Sequence, residues 1–382
     1  MSATTPLSGV DTQNEAGLPC RVMIADDSIV IRGWIRRALE AQSGFRIVST
    51  AADGQAAIDA LRRTPVDVIV LDIEMPVMDG LTAIPQLKAI DAGVQIIMAS
   101  TLTSKNAEIS LKALSLGATD YIPKPQTLKD NDLGGAQEFG RDLVEKVRVL
   151  GDLARRRGVR MGGAVARPIV RPKAPVEKKK LVLRSMPCFK PEIIAIGSST
   201  GGPQALFEVI KTMGSSLSQP VVITQHMPPS FTTILAEHIA RQCEVSCKEA
   251  QDNDVLKPGH YYIAPGDFHM TFVRKPEGSV VKLTKDPPEN FCRPAVDVMM
   301  RSLGEIYRNK ILAVILTGMG QDGLKGTQGI VEAGGGLIAQ DEATSVVWGM
   351  PGAVANAGLC SAVLPLNAIG AAVKKAATGT GL

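Results

Sequence analysis

The sequence predicts an α/β protein made of two doubly wound parallel-sheet domains joined by a basic linker. Three observations predict it. Short apolar runs of strand length alternate with runs of helical apolar spacing in both halves of the chain. At 382 residues the chain is long enough for two separate cores. Between Arg155 and Arg184, eleven basic residues face a single acid, Glu177, among several prolines, a composition that cannot pack a core. The expected division is a polar, disordered tail over 1–19, a first domain over 20–150, the linker over 151–190 and a second domain over 191–377.

Composition excludes several function classes. Hydrophobic residues at 45% and charged residues at 21% are ordinary for a soluble globular protein. Aromatics at 4% argue against a base-stacking nucleic-acid platform. The net charge of +4 belongs to the linker, whose own +10 leaves the rest of the chain at −6, so the run reads as a solvated linker and no nucleic-acid partner is expected. The six cysteines have no framework spacing, and Cys243 with Cys247 lacks a second pair for zinc, which suits reduced thiols. The first nineteen residues lack the apolar core of a signal peptide, and no apolar run approaches the ~18 residues of a membrane span. A cytoplasmic protein is expected.

In the first domain, residues 21–25 (RVMIA) form a buried strand that runs into Asp26, Asp27 and Ser28. Residues 66–71 form a second strand ending at Asp72. A third, 96–99, ends at Ser100, and a fourth, 120–122, ends at Pro123-Lys124-Pro125. Helical patterns such as 29–39 and 56–61 lie between them. In a doubly wound sheet the chemistry sits at the carboxyl ends of the strands. Three carboxylates converging there repel one another unless a hard divalent cation binds, and Mg²⁺ suits carboxylates plus phosphate oxygens. Lys124 and the Ser100 hydroxyl would hold the remaining phosphoryl oxygens.

The second domain opens on residues 193–203, IIAIGSSTGGP. An apolar run gives way to a tight Gly/Ser turn, and Ala205, Leu206, Val209, Ile210 and Met213 then follow with helical spacing. Ser199 sits between Gly197 and Gly201, a G-x-S-x-G arrangement in which small neighbours let the chain turn sharply and expose the hydroxyl. A strand over 221–224 ends at Gln225-His226, and further strands are expected over 261–264 and 280–283. The most apolar strand, 311–316, ends in TGMGQDG, which contains Asp322. Another over 337–339 follows the Gly334-Gly335-Gly336 stop. Parallel strands would place Ser199, His226 and Asp322 on one edge, as a nucleophile, base and orienting carboxylate require. His238 lies mid-helix, and His260 and His269 flank a Pro-Gly loop.

Gly318-x-Gly320-x-x-Gly323 is formally a dinucleotide fingerprint, with Asp341 about twenty residues on. Asp322 would then set a carboxylate against the pyrophosphate, which disfavours a nucleotide-binding output domain. The order Ser, His, Asp also differs from that of the α/β-hydrolases.

The Asp-Asp pair, LDIEMPVMDG around Asp72 and YIPKP around Lys124 resemble a response-regulator receiver domain, which is flavodoxin-like. The resemblance implies phosphorylation of Asp72 by a histidine kinase of a chemotaxis array. It also implies Mg²⁺ held by Asp26, Asp27 and Asp72, with Ser100, Tyr121 and Lys124 as the phosphorylation switch. The second domain is similar, through IGSSTGGP, TQHMP, YIAPGDFHM, RPAVDVMM and LTGMGQDG, to the Rossmann-like catalytic domain of the CheB protein-glutamate methylesterase family. That similarity implies Ser199 as nucleophile, His226 as base and Asp322 as orienting acid, with Thr200 and the Met319 amide stabilising the oxyanion. It implies no cofactor in the catalytic domain. The expected reaction is hydrolysis of glutamate methyl esters, and deamidation of glutamines, on methyl-accepting chemoreceptors. A monomer that reaches membrane arrays only through those receptors is expected, with a receiver that restrains the esterase by covering the Ser199 edge. The rival is a phosphorylation-switched binding protein with a non-catalytic output domain. One departure stands out: where the family often has histidine before Arg-Pro, this chain has Cys292. Its thiol cannot act as a charged donor near pH 7, so a Cys292→Ser change is expected to be nearly silent.

Overall fold

Ten elements alternate through the first half of the chain: β1 (Cys20–Ala25), α1 (Ile29–Glu40), β2 (Phe45–Ala51), α2 (Gly54–Arg63), β3 (Val68–Asp72), α3 (Gly80–Ile90), β4 (Gln95–Ser100), α4 (Ser104–Ser115), β5 (Asp120–Pro123) and α5 (Leu133–Arg160). They come from a computed structural model that describes residues 19–101, 103–124, 133–160, 181–187 and 190–379. The five strands form one parallel sheet in the order β2-β1-β3-β4-β5. The order reverses between β1 and β3, so the crevice beyond their carboxyl ends lies at Asp26, Asp27 and Asp72. Side chains of Ser28, Asp53, Asp79 and Thr103 cap α1 to α4, each accepting from a first-turn amide.

Two expectations need correction. The strand β2 was not foreseen: at the sheet edge it is mostly half-buried, so it lacks the continuous apolar run that marks β1 and β3. The first domain also does not end at 150. Helix α5 continues to Arg160, and its apolar face buries Phe139, Leu143, Val147 and Leu150 against β1 and β3. The basic run therefore begins inside a helix. The expected tail, apart from residue 19, and residues 161–180 of the expected linker lie outside the described residues.

The second half contains β6 (Ile193–Ser198), α6 (Gly202–Met213), β7 (Val221–Gln225), α7 (Phe231–Cys243), β8 (Ser246–Glu249), β9 (His260–Ile263), β10 (His269–Lys275), β11 (Gly278–Thr284), α8 (Val296–Tyr307), β12 (Ile311–Ile315), α9 (Leu324–Glu332), β13 (Gly336–Gln340), α10 (Met350–Asn356), β14 (Ala362–Leu364) and α11 (Leu366–Ala377). Seven of these strands make a second parallel sheet, β14-β13-β12-β6-β7-β9-β8, while β10 and β11 form an antiparallel hairpin. The neighbours β12, β6 and β7 consist of fully buried residues, which is why each reads as an unbroken apolar run. Strands β8 and β10 escaped the sequence reading because they are partly exposed and carry polar residues, and β14 because it is only three residues long. Residues at the far end of the expected linker are docked on this domain, with Arg184 N–H donating to the Cys360 carbonyl at 2.9 Å.

The first domain rests on the carboxyl edge of the second sheet. Tyr121 of β5 stacks on Phe231 of α7, ring centroids 4.7 Å apart and planes 13° from parallel. Gln204 of α6 donates to the carbonyls of Leu114 and Ala118 at 3.2 and 3.3 Å. Val347 is buried among first-domain residues, and Val346 and Met319 pack beside it.

Candidate active site

Ser199 follows the last residue of β6, and its backbone N–H donates to the Thr317 carbonyl at the end of β12, 3.0 Å away. The turn needs its glycines. Gly201 sits at φ +75°, in the left-handed region, and a Cβ on Gly318 would fall 2.9 Å from Ser199 Cβ. Helix α6 begins at Gly202 with Pro203 in its first turn. His226 follows β7, its N–H bonded to the Ser198 carbonyl at 3.1 Å, and Asp322 lies in the loop after β12. Adjacent parallel strands thus bring all three residues to one edge, as their spacing in the sequence predicts.

The histidine and the carboxylate are paired: His226 Nε2 lies 2.7 Å from Asp322 Oδ2. Asp322 is 2% exposed and accepts further bonds from the N–H groups of Val296, Asp297 and Gly323 and from Asn290 Nδ2, at 2.6 to 3.0 Å. Burial works against its charge, but the contact with His226 and the backbone donors hold its carboxyl well below the usual range. The fingerprint turn therefore holds no phosphate cradle, because the Gly323 amide already serves Asp322. Burial also works against a charged His226, yet the Cys292 sulfur and the Asp322 carboxylate outweigh it and raise the imidazole above its ordinary range. Among the described residues, the Ser199 hydroxyl has no hydrogen-bond partner. The second ring nitrogen, Nδ1, instead faces Cys292 Sγ at 3.4 Å. The sequence reading missed that contact.

Thr200 is buried, and its hydroxyl donates to Asp120 Oδ2 of β5 at 2.8 Å. Asp120 also pairs with Lys146 of α5. The residue expected to stabilise an oxyanion is thus bound to a carboxylate of the other domain. The Met319 amide has no partner among the described residues. Arg141 of α5 lies over the exposed Phe291 ring at 4.4 Å, on the loop that carries Cys292.

At the first sheet's edge, ligand oxygens of Asp26, Asp27 and Asp72 lie within 4.8 Å of one another. Lys124 Nζ is 2.7 Å from both Asp26 Oδ2 and Asp72 Oδ1. Burial pushes the Asp72 carboxyl up to about 6, against the pull of Lys124. An all-oxygen set of three carboxylates, one of them exposed, fits a hard cation such as Mg²⁺. Ser100 is buried at the end of β4, with its hydroxyl 3.1 Å from that of Ser110 on α4. Tyr121 lies not at the acidic cluster but in the contact between domains. His238 is buried in α7, and His269 bonds the Pro287 carbonyl and the Ala295 amide, so neither competes with His226 as a base.

Comparison with known proteins shows the same two domains. The CheB methylesterase family matches residues 194–373, and the response regulator receiver domain matches residues 22–132. The chain is 57% identical to a protein-glutamate methylesterase/protein-glutamine glutaminase of Azospirillum brasilense, over 97% of this chain and 96% of that protein. It is 55% identical to one of Rhodospirillum centenum, over 94% of each. Among solved structures, the Thermotoga maritima CheB methylesterase catalytic domain is 43% identical, covering 48% of this chain and 97% of that one at a TM-score of 0.47.

Proposed function

This chain belongs to the CheB methylesterase family, and from that premise we propose that it is a phosphorylation-activated serine esterase of chemotaxis. Its substrates are glutamate methyl esters, which it hydrolyses, and glutamines, which it deamidates, on the cytoplasmic part of chemoreceptors, and it works in the cytoplasm. One observation carries the reading: a His226–Asp322 pair with a buried carboxylate shares with Ser199 the carboxyl edge of three adjacent parallel strands. Among the described residues, no helix is long and apolar enough to cross a membrane.

Five donors around Asp322 keep it ionised, so Nε2 of His226 carries the ring proton and Nδ1 is the free base. Ser199 Oγ attacks the ester carbonyl as Nδ1 takes its proton, and Asp322 stabilises the imidazolium that forms. The Met319 amide and the Thr200 hydroxyl stabilise the oxyanion. Nδ1–H then protonates the departing methoxide oxygen, releasing methanol and leaving a glutamyl ester on Ser199. Water, deprotonated by the same nitrogen, cleaves that ester. For glutamine the leaving group is ammonia. Catalytic hydrogen bonds are often absent until substrate binds, which accommodates the unpaired Ser199.

The first domain acts as the switch. A histidine kinase of the chemotaxis array phosphorylates Asp72. Mg²⁺ at Asp26, Asp27 and Asp72 would supply charge neutralisation for phosphoryl transfer, and Lys124 is placed to bind a phosphoryl oxygen. In the resting form, docking over the Ser199 edge blocks substrate and engages Thr200. The test is methanol release from methylated receptor membranes, with and without a small phosphodonor. Release that is absent in both conditions from a folded protein rejects the reading.

A further inference from the structure

We propose that Cys292 is a positioning residue of the esterase site, holding the base nitrogen of His226 until Ser199 takes its place. The proposal rests on the triad reading above and deepens it. Cys292 Sγ lies 3.4 Å from His226 Nδ1, on the far side of the ring from Asp322. Because Asp322 fixes the proton on Nε2, a neutral ring has a bare lone pair at Nδ1, and the thiol S–H points a donor at it.

The loop that presents the sulfur is built for the purpose. Asn290 and Phe291, just before it, both adopt positive φ, at 52° and 62°. Such backbone persists only where the surroundings over-determine it. Here Asn290 is tied to Asp322 Oδ1 at 2.8 Å and Asp297 Oδ2 at 3.0 Å, and Glu289 and Cys292 exchange backbone bonds at 2.9 and 3.1 Å. One network therefore fixes Asp322 on one ring nitrogen and Cys292 on the other.

A thiol suits this task because it is a weak donor. It stops the ring from turning away while the site is idle, yet a serine hydroxyl, a stronger donor, displaces it at little cost. Once the ring is protonated, Nδ1–H donates to the sulfur instead, and this charge-assisted contact outweighs the neutral one, so the sulfur favours the charged ring, as Asp322 does. The other charged groups acting on this cluster are Asp297, Glu289 and Arg301, which surround Asp322. Cys292→Ala leaves all of them in place.

The experiment follows the His226 ring nitrogens by ¹⁵N NMR in the full chain across a pH titration, for wild type, Cys292→Ala and Cys292→Ser. In Cys292→Ala the imidazole midpoint should move to lower pH, and the Nδ1 resonance toward that of a free acceptor. Cys292→Ser, which keeps a donor, should lie between. In the phosphorylated protein kcat should fall about fivefold in Cys292→Ala, the size of one modest hydrogen bond, with KM little changed. The acid limb of kcat/KM should shift down with the NMR midpoint. A His226 midpoint that is the same in folded variants and wild type overturns the proposal, even if turnover falls, since packing alone would lower turnover. Failure of the triad reading would show separately, as an active Ser199→Ala protein, because the NMR signal does not depend on esterase activity.

Discussion

Asp120→Ala should turn the resting enzyme on. In the docked form the Asp120 carboxylate accepts from the Thr200 hydroxyl at 2.8 Å, and both groups are buried. Only interactions that differ between docked and undocked states can shift the balance between them. The Lys146 pair with Asp120 lies within one domain and persists in both states, so it does not count. The bond to Thr200 exists in the docked state alone. A hydrogen bond to a charged group contributes about 1.5–3 kcal/mol. Both partners regain water on undocking, so the lower value applies, and ~1.5 kcal/mol is roughly tenfold in the docking equilibrium. Unphosphorylated Asp120→Ala should therefore release methanol from methylated receptor membranes about tenfold faster than unphosphorylated wild type. With phosphodonor the two should be equal, because the phosphorylated wild type no longer holds Thr200. A folded variant whose resting rate stays within twofold of wild type would refute the idea that the carboxylate masks the oxyanion donor.

Three further outcomes are expected. Ser199→Ala should fold normally and lose on the order of 10³-fold or more in turnover, measured as methanol release, because no other group can form the acyl-enzyme. Asp72→Asn should abolish labelling by a radioactive phosphodonor, and EDTA should do the same to wild type; persistent labelling of Asp72→Asn would place the acceptor elsewhere. Turnover should rise with pH, because protonated His226 cannot accept the Ser199 proton. Since Cys292 and Asp322 raise the imidazole above its ordinary value, the acid limb of kcat/KM should centre above ~6.5. A limb at or below that value in the resting protein would mean that the sulfur and carboxylate do not act on the ring as described.

The sequence was most legible where a residue's role is decided by its own strand. Asp26, Asp72, Ser199, His226 and Asp322 each follow or close a strand that is buried almost throughout, so the parallel topology alone brings them to their edges. Half-buried strands such as β2 and β8 were invisible for the opposite reason, since one polar face breaks the run. What the sequence could not show were contacts between distant turns. Asp120 reads as an ordinary residue opening a strand, and nothing near it announces Thr200, eighty positions away. Cys292 likewise meets His226 only because the Glu289 to Cys292 turn folds back over the strand ends. A signal was nevertheless present: Cys292 stands directly before Arg293-Pro294, among residues that already resembled a catalytic domain.

On the proposed function, the same distinction shows how a phosphoryl group at Asp72 would control Ser199 without touching it. Asp72, Lys124 and Ser100 lie at the carboxyl edge of the first sheet, whereas Tyr121 and Asp120 hold the second domain from within the same strand that leads to Lys124. Any shift of β5 that draws Lys124 toward a phosphoryl oxygen is a shift of the strand carrying both docking residues. Stacking of Tyr121 on Phe231 adds about 0.5–1.5 kcal/mol beyond the area it buries, and it weakens once the rings slide out of register. A tenfold change in exposure of the site needs only ~1.4 kcal/mol of docking preference. The Tyr121 stack and the Asp120 bond can each supply a change of that order. On the proposed function, the switch therefore needs no large interface or long-range rearrangement, only a short strand whose two ends answer to different domains.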